Sequence, residues 1–233
     1  MAFGFSPIKD GTMRAFAIIP AAGGSRRMGR SKLRLAWPGP TVSDGPSEGE
    51  TILESLLRAW SRSRVERIVV VGRADDGWMR GTARRMGAAF VAPDAPPPEM
   101  KDSILAGVRF LESAERPEER DAWLVAPADM PRLPSSVIDR LIAAYAARGA
   151  SVVQPSIEGR RGHPVLLAWR LAADLDQLPP GEGLSSLIRR HAVHELPCDD
   201  PAILDDVDTP EDYERIQRHC RGSLREPPEA RSM

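Results

Sequence analysis

Cysteine and lysine are scarce in this 233-residue chain, and long hydrophobic runs are missing. The two cysteines, Cys198 and Cys220, form no C-x-x-C pair, which argues against a disulfide framework or a cysteine zinc site and fits a reducing cytoplasm. No apolar run approaches the roughly 18 residues that a membrane-spanning helix needs. With 32 basic and 33 acidic side chains, the net charge of -1 provides no field that would attract nucleic acid or an anionic membrane.

The composition is that of a folded globular protein, with 42% hydrophobic and 28% charged residues. The length suits one domain with its own core, and we expect this domain to cover residues 15–221. Residues 1–14 and 222–233 are expected to be flexible tails. A loop over residues 37–50, rich in glycine, proline, serine and acid, is long enough to act as a lid.

Apolar, β-branched segments alternate with helical patterns, which is typical of a mainly parallel sheet flanked by helices. In the first half we predict βαβαβαβ, with strands over Phe16–Ala21, Arg67–Gly72, Ala88–Ala92 and Ala122–Ala126. The helices between them are expected over Thr51–Ser61, Trp78–Met86 and Asp102–Ser113. The second half predicts a helix over Ser135–Ala147, strands over Ser151–Ile157 and Pro164–Trp169, a helix over Leu184–Arg190, a short strand near Ala202–Val207 and a helix over Pro210–Arg221.

The most informative segment is the glycine loop over residues 20–32, directly after the first predicted strand. Open parallel sheets bind ligands at this carboxyl edge. Glycines permit a tight turn there, backbone N–H groups can converge on phosphate oxygens, and basic side chains add positive charge. We therefore predict nucleotide contacts from Ala21, Ala22, Gly23, Gly24, Ser25, Arg26, Arg27 and Lys32.

Two common phosphate-binding loops do not match this segment. The spacing of Gly23, Gly24 and Gly29 does not give the dinucleotide fingerprint G-x-G-x-x-G. A P-loop needs lysine directly after its second glycine, and Arg30 stands there, so a P-loop ATPase is a distant alternative. Residues 21–32 instead match A-A-G-x-S-x-R-M-G-x-x-K at each defined position.

That loop resembles the signature of the MobA-like NTP transferases, the molybdenum cofactor nucleotidyltransferases, and their cytidylyl branch more than the guanylyl branch. Four further segments are similar to family motifs in the same order. Residues 126–131 resemble its metal-binding D-M-P motif, and residues 159–166 resemble R-G-H-P-V-L. Residues 181–188 resemble G-D-x-G-x-x-x-L-L, and residues 206–213 resemble D-I-D-T-P-E-D. The resemblance spans residues 17–213 and implies an α/β, Rossmann-like nucleotidyltransferase fold.

The resemblance implies an enzyme that moves NMP from an NTP to a phosphate-bearing acceptor and releases pyrophosphate. It implies CTP as donor, molybdopterin or its molybdenum form as acceptor, and transient contact with a molybdoenzyme or its chaperone. Two alternatives stay open. One is transfer to another phosphorylated metabolite, such as a phospho-sugar, a phospho-alcohol or phospholactate, and the other is a nucleotide-binding module that delivers a cofactor without turnover.

Metal binding is expected at two aspartates. Asp129 follows a predicted strand and so lies at the same sheet edge as the glycine loop. Nucleotidyl transfer needs a hard cation to offset charge on the α-phosphate and the leaving pyrophosphate, and Mg²⁺ prefers carboxylate oxygens. Asp208 is a second metal ligand, the cap of the last helix, or both, because Thr209 and Pro210 after it form a good helix start.

Further site residues follow from the same resemblance. Arg27 and Lys32 are expected to contact the phosphates and to act with Asp129 in catalysis. Residues 99–107 correspond to the family's loop near the nucleotide base and supply Ser103. The residues expected to face the acceptor are Arg161, Gly162 and His163.

The chain departs from the family pattern at two places. Glu99 replaces a glycine near the base, and Lys101 and Asp102 replace small polar residues, which leaves the choice of base open. Residues 37–50 stand where the family has a short link with a G-K-P turn, and this loop could alter the acceptor.

Overall fold

The computed structural model describes residues 12–23, 31–37, 50–95 and 97–223, with the backbone alone for residues 219–223. The expected lid falls almost entirely on residues 38–49, outside this described part, as do most of both expected tails. The two ends of that loop are described and lie side by side. The Trp37 N–H donates to the Glu50 carbonyl at 2.6 Å, and Ala36 forms an antiparallel bridge with Thr51.

The described residues contain eight strands that form one sheet. They are β1 Ala15–Pro20, β2 Arg67–Val71, β3 Ala89–Val91, β4 Ala122–Val125, β5 Val152–Ile157, β6 Arg160–Arg161, β7 Val165–Ala168 and β8 Val193–Pro197. Their order is β3-β2-β1-β4-β7-β5-β6, with β8 paired to β5. Strands β1 to β4 pair in parallel, as do β5 and β8, whereas β7 is antiparallel to both β4 and β5. The predicted α/β fold with a mostly parallel sheet is confirmed.

Helices connect and flank the strands, as the sequence pattern predicts. They are α1 Ile52–Ser61, α2 Gly77–Arg85, α3 Met100–Glu115, α4 Ser135–Arg148, α5 Leu171–Asp176, α6 Leu184–Arg189 and α7 Pro210–Ser223. Local chemistry sets where they begin. In α1, for example, Thr51 and Glu54 form a capping box, in which each side chain accepts from the other's backbone N–H. No helix in the described ranges has both the length and the apolar composition needed to cross a membrane.

The buried centre of the sheet positions the site. Residues 15–19 of β1 and 68–71 of β2 are buried, which is why both segments read as continuous apolar runs. Helix α3 lies close against β1 because Gly107 has no side chain. A Cβ at that position would lie 2.7 Å from Ile18 Cγ2. The start of α3 is thereby held at the same sheet edge as the glycine loop.

The structure corrects the expectation for the segment before α7. Residues 202–207 are not a strand, because Pro201–Leu204 form a 3₁₀ helix. Proline at its first position and the Asp200 carboxylate, which accepts from the Ala202 N–H at 2.9 Å, favour this helical start. The sequence interpretation also missed the six-residue helix α5, the two-residue strand β6 and the partly exposed strand β8.

Arg14 lies in the expected N-terminal tail, yet it is bound to the domain. Its backbone N–H and its guanidinium both donate to the Asp121 carboxylate at 2.8 Å. Asp121 is buried, so this ion pair attaches the chain just before β1 to the start of β4. The structured domain therefore includes Arg14.

Candidate active site

A cavity of about 340 Å³ opens at the carboxyl edge of the sheet, beyond the ends of β1 and β4. Its walls are formed by residues 20–23, 32–33, 97–100 with Ser103, 127–129 and Asp208. The sequence predicted a ligand site at this edge, and the predicted nucleotide contacts Ala21, Ala22 and Gly23 lie along it. The other predicted loop contacts, namely Gly24, Ser25, Arg26 and Arg27, fall outside the described residues.

One lysine and two aspartates meet in this cavity. Lys32 Nζ contacts Asp129 Oδ2 and donates to Asp208 Oδ1 at 2.9 Å. The three side chains come from distant parts of the chain. Lys32 begins the 3₁₀ helix Lys32–Arg34 at the end of the glycine loop, Asp129 lies in the loop after β4, and Asp208 lies just before α7. The Lys32 and Asp129 side chains are 16% and 10% exposed, against 43% for Asp208. The cluster thus extends from the buried base of the cavity towards its opening.

The charges of this cluster favour cations. Burial acts to lower the pKa of Lys32, but hydrogen bonds and charge from Asp129 and Asp208 outweigh it, and the pKa is raised above 10.5. Nearby, burial raises the pKa of Asp206; its own backbone hydrogen bond opposes this, and the carboxylates of Asp129 and Asp208 add to it. A carboxylate is therefore costly to place beside this cluster, whereas a cation is favoured.

The donor set fits Mg²⁺. Asp129 Oδ1 is buried and has no hydrogen-bond partner among the described residues, so a hard oxygen ligand is left over at the base of the cavity. The described chain holds no group of three or more His, Cys, Asp or Glu that could bind a metal by themselves. Mg²⁺ usually needs fewer, because it is bound by one or two carboxylates together with substrate phosphates and water. Asp129 and Asp208 match that requirement, and the ion itself remains a prediction.

The structure separates the two roles that the sequence allows for Asp208. At the start of α7, the Thr209 hydroxyl accepts from the Asp212 N–H at 3.1 Å, and the Asp212 carboxylate accepts from the Thr209 N–H at 3.1 Å. Thr209 therefore makes the capping interactions. The carboxylate of Asp208, one residue earlier, contacts Lys32 instead.

A buried ion-pair cluster that the sequence interpretation missed supports the acidic segment before α7. Asp205 is buried, contacts Arg132 and accepts from Arg215 at 3.3 Å. Arg132 lies three residues after Asp129, so the cluster connects the two segments that carry the site aspartates. The placement of Arg132 directly after the D-M-P motif was the available signal.

The predicted acceptor residues take different positions. The His163 N–H donates to the Ile203 carbonyl at 2.8 Å, and its Nδ1 is buried with no hydrogen-bond partner in the described part of the chain. Burial lowers the pKa of His163, while the negative charge of Asp129 acts in the opposite direction. Gly162 must be glycine, because a Cβ there would lie 2.4 Å from the Ile203 carbonyl oxygen. Arg161 is exposed and pairs with Glu195 on β8 at 2.8 Å, and none of these three predicted acceptor residues is among those that line the cavity.

On the side predicted to hold the base, Ser103 is buried and lines the cavity. The departures from the family pattern are engaged in structural contacts. Lys101 Nζ donates to the carbonyl oxygens of Leu178 and Pro179 at 3.1 and 3.2 Å. The Asp102 carboxylate accepts from the Glu99 N–H at 3.0 Å at the start of α3. Lys101 and Asp102 do not line the cavity, whereas Glu99 does.

Comparison with known proteins indicates the same family as the sequence motifs do. A family model described as the MobA-like NTP transferase domain matches residues 17–196. The purine catabolism protein PucB of Bacillus subtilis is 29% identical over 216 residues, covering 86% of this chain and 95% of that protein. The molybdenum cofactor cytidylyltransferase of Escherichia coli is 24% identical over 196 residues, covering 84% and 92%. A phosphoenolpyruvate guanylyltransferase of Mycolicibacterium gilvum is 31% identical over 189 residues, covering 80% and 83%.

Solved structures share the fold. A homologue of Mycobacterium tuberculosis Rv0371c from Mycobacterium sp. strain JC1 has a TM-score of 0.69 at 24% identity, covering 90% of this chain and 98% of that chain. Rv0371c itself, in complex with manganese, has a TM-score of 0.64 at 19% identity, covering 88% and 99%. Since the family model spans most of the domain, and residues of the glycine loop and of the D-M-P motif line the cavity, the chain belongs to the MobA-like NTP transferase family of nucleotidyltransferases.

Proposed function

We propose that the protein is a Mg²⁺-dependent nucleotidyltransferase that moves CMP from CTP to the phosphate of molybdopterin, in its free or molybdenum form. The observation that carries this proposal is the meeting of Lys32, Asp129 and Asp208 in the cavity bordered by the glycine loop. A lysine and a pair of carboxylates at one point suit a substrate that arrives as a metal-bound polyphosphate.

The reaction is an in-line displacement at the α-phosphorus. An oxygen of the acceptor phosphate forms a bond to this phosphorus, and the bond to the oxygen that bridges the α- and β-phosphates breaks. Pyrophosphate leaves with that electron pair. No covalent intermediate with the protein is needed, so positioning and charge neutralisation supply most of the acceleration.

We assign this work to residues of the cavity and of the glycine loop. Backbone N–H groups of residues 22–25 and the side chains of Arg27 and Lys32 hold the phosphates, and Ser103 lies on the side of the base. Asp129 and Asp208 would hold Mg²⁺, which offsets negative charge on the α-phosphate and on the leaving pyrophosphate. The manganese complex of the structural neighbour Rv0371c supports a divalent cation in this fold.

The acceptor is assigned by the family motif that contains His163. His163 lies near enough to Asp129 to feel its charge, while its unpartnered Nδ1 is buried and the residue does not line the cavity. We therefore assign His163 the role of supporting the wall beside Asp129, against which the phosphate-bearing acceptor would bind. After transfer, the product would pass to a molybdoenzyme or its chaperone.

A second candidate is guanylyl transfer to a small phosphorylated acid. The relative that supports it, a phosphoenolpyruvate guanylyltransferase, is 31% identical, against 24% for the molybdenum cofactor cytidylyltransferase. Both candidates use the same phosphate and metal contacts. They differ in the base and in the acceptor, which the residues around Ser103 and His163 would select.

The experiment that separates them is a matrix of donors and acceptors. The protein is incubated with Mg²⁺, each of CTP, GTP, ATP and UTP, and either molybdopterin, phosphoenolpyruvate or no acceptor. Pyrophosphate is measured, and the conjugate is identified by mass spectrometry. We expect equal amounts of pyrophosphate and of the CMP conjugate of molybdopterin.

Each other outcome has a clear meaning. A GMP conjugate of phosphoenolpyruvate would replace the first proposal by the second candidate. Nucleotide binding with no conjugate on any acceptor would favour a delivery module, and hydrolysis of ATP without acceptor would favour an ATPase.

A further inference from the structure

The ammonium of Lys32 stands where the proposed function needs a metal ion. Nζ contacts one oxygen of Asp129 and one oxygen of Asp208, the same two carboxylates that would bind Mg²⁺. We infer that Lys32 holds the metal position of the nucleotide-free protein, and that the divalent cation enters with the nucleotide, whose phosphates draw Lys32 away from the aspartates. This inference rests on the proposed function and adds an order of binding to it.

The burial of these side chains supports a defined placement of Lys32. Its side chain is 16% exposed and that of Asp129 is 10% exposed, so the contact is not one between two solvated surface chains. Surface ion pairs are weak because water screens them, whereas a partly buried pair resists separation. A divalent cation that binds alone must break both contacts of Lys32 with the two aspartates, and this opposes its entry.

The second carboxylate oxygen of Asp129 favours the exchange. Lys32 contacts Oδ2, while Oδ1 is buried without a hydrogen-bond partner in the described ranges. Once Lys32 turns aside, Asp129 would offer both oxygens to a cation that arrives with phosphate oxygens. The phosphates would give the lysine a new anionic partner in exchange.

The position of Lys32 also permits the exchange. Lys32 is the last residue of the glycine loop and lines the same cavity as residues 20–23. Its ammonium sits on a flexible four-carbon stem, so it can turn from the carboxylates to a phosphate by side-chain rotation alone. The backbone of the site can therefore stay in place.

The test measures the affinity of the nucleotide-free protein for Mn²⁺ by electron paramagnetic resonance and calorimetry. We compare wild type with Lys32→Met, which keeps most of the length of the side chain but removes its charge. Because the variant leaves two carboxylates facing one another without the ammonium, we expect Mn²⁺ to bind at least tenfold more tightly than to wild type. Lys32→Arg retains the charge and should bind Mn²⁺ no more tightly than wild type.

Two further variants and one ligand complete the experiment. The double variant Lys32→Met/Asp129→Asn should not show the increase in Mn²⁺ affinity expected for Lys32→Met. This result would place the added Mn²⁺ binding at Asp129. With α,β-methylene-CTP or its guanosine counterpart present, Mn²⁺ affinity should rise strongly in wild type and much less in Lys32→Met. Circular dichroism checks that each variant is folded, and Lys32→Gln replaces Lys32→Met if the latter is not.

The inference is overturned if the charge-removing variant binds Mn²⁺ no more tightly than wild type, or if the gain persists without the Asp129 carboxylate. Failure of the proposed function looks different, because it appears as absence of any nucleotide conjugate in the donor and acceptor matrix. Mn²⁺ binding needs neither an acceptor nor turnover, so each idea can fail while the other stands.

Discussion

The backbone N–H of Val207 donates a hydrogen bond to the carbonyl oxygen of Asp129 at 3.0 Å. This bond joins the segment that carries Asp208 to the loop that carries Asp129. A second bond, from the His163 N–H to the Ile203 carbonyl at 2.8 Å, attaches the turn after β6 to the same segment. The acidic side of the cavity is therefore assembled by backbone contacts from three distant parts of the chain.

Arg132→Met should destabilise the protein strongly. The substitution removes the charge next to Asp205, whose side chain is 11% exposed and would then keep only the more exposed Arg215 as a described ion-pair partner. Removing one member of a buried ion pair costs about 3 kcal/mol, because the remaining charge stays buried. Urea unfolding measures the change.

The matched control is Arg109→Met, which removes one member of an exposed pair with Asp176. An exposed pair contributes less than about 1 kcal/mol, so this variant should unfold almost as wild type does. If Arg132→Met and Arg109→Met lower the free energy of unfolding by similar amounts, the ion pairs of Asp205 do not stabilise the site.

Gly162→Ala should also lower the free energy of unfolding. The added Cβ would lie 2.4 Å from the carbonyl oxygen of Ile203, and a backbone atom cannot move aside as a flexible side chain can. Overpacking of this kind costs about 1–3 kcal/mol. Gly77→Ala is the control, because no atom beyond its chain neighbours and the backbone of its own helix lies within 4 Å of its Cβ position. Equal unfolding curves for both variants would contradict the close approach.

Part of this site follows from the sequence by a general rule. Parallel strands end at one edge of a sheet, so the glycine loop after β1 and Asp129 after β4 had to lie near each other once the strands were recognised. The strands were recognisable because β1 and β2 are buried, and burial requires continuous apolar runs. The family motifs then indicated which residues at that edge would carry chemistry.

The rest of the site depends on packing that no local pattern encodes. Asp208 reaches Lys32 across 176 positions of sequence, along a path through β8 and a 3₁₀ helix. Strand β8 was missed because it is partly exposed and therefore lacks a continuous apolar run, and the 3₁₀ helix was taken for a strand. The sequence suggested that the charges of Lys101 and Asp102 affect the choice of base. In the structure both side chains form hydrogen bonds with backbone groups of the protein.

The stability of the protein should depend on the titration of His163. Burial places its folded-state pKa below the ordinary value of 6.5, although Asp129 acts against this shift. Protons therefore bind the unfolded state more readily. The stabilisation by neutral His163 is complete above about pH 6.5 and is lost as the pH falls through the depressed folded-state pKa.

His163→Gln removes this titration. In urea unfolding between pH 7.5 and pH 5.5, wild type should lose more stability than the variant, by up to about 1.4 kcal/mol per pH unit. If the two profiles run parallel over that range, the imidazole is not held neutral by burial.

Lys101→Met should weaken nucleotide binding more than acceptor binding. The lysine ties the start of α3, which carries Ser103 on the side predicted to hold the base, to the carbonyl oxygens of Leu178 and Pro179. Loss of these charge-assisted hydrogen bonds should raise the KM for the nucleotide by about tenfold. Steady-state kinetics with each substrate varied in turn test this, and Lys101→Arg should restore much of the loss. A fall in kcat with unchanged KM values would contradict a positioning role.

The central claim is that Asp129 serves a metal-dependent nucleotidyl transfer, and pyrophosphate release with Mg²⁺, donor and acceptor tests it most directly. The matched control is Glu118→Gln, which changes an exposed carboxylate just before β4, at the opposite edge of the sheet from the cavity. We expect Asp129→Asn to lower the rate by about 10²-fold or more, as for loss of a transition-state contact, while Glu118→Gln keeps the wild-type rate. Release by Asp129→Asn at the wild-type rate would contradict the account.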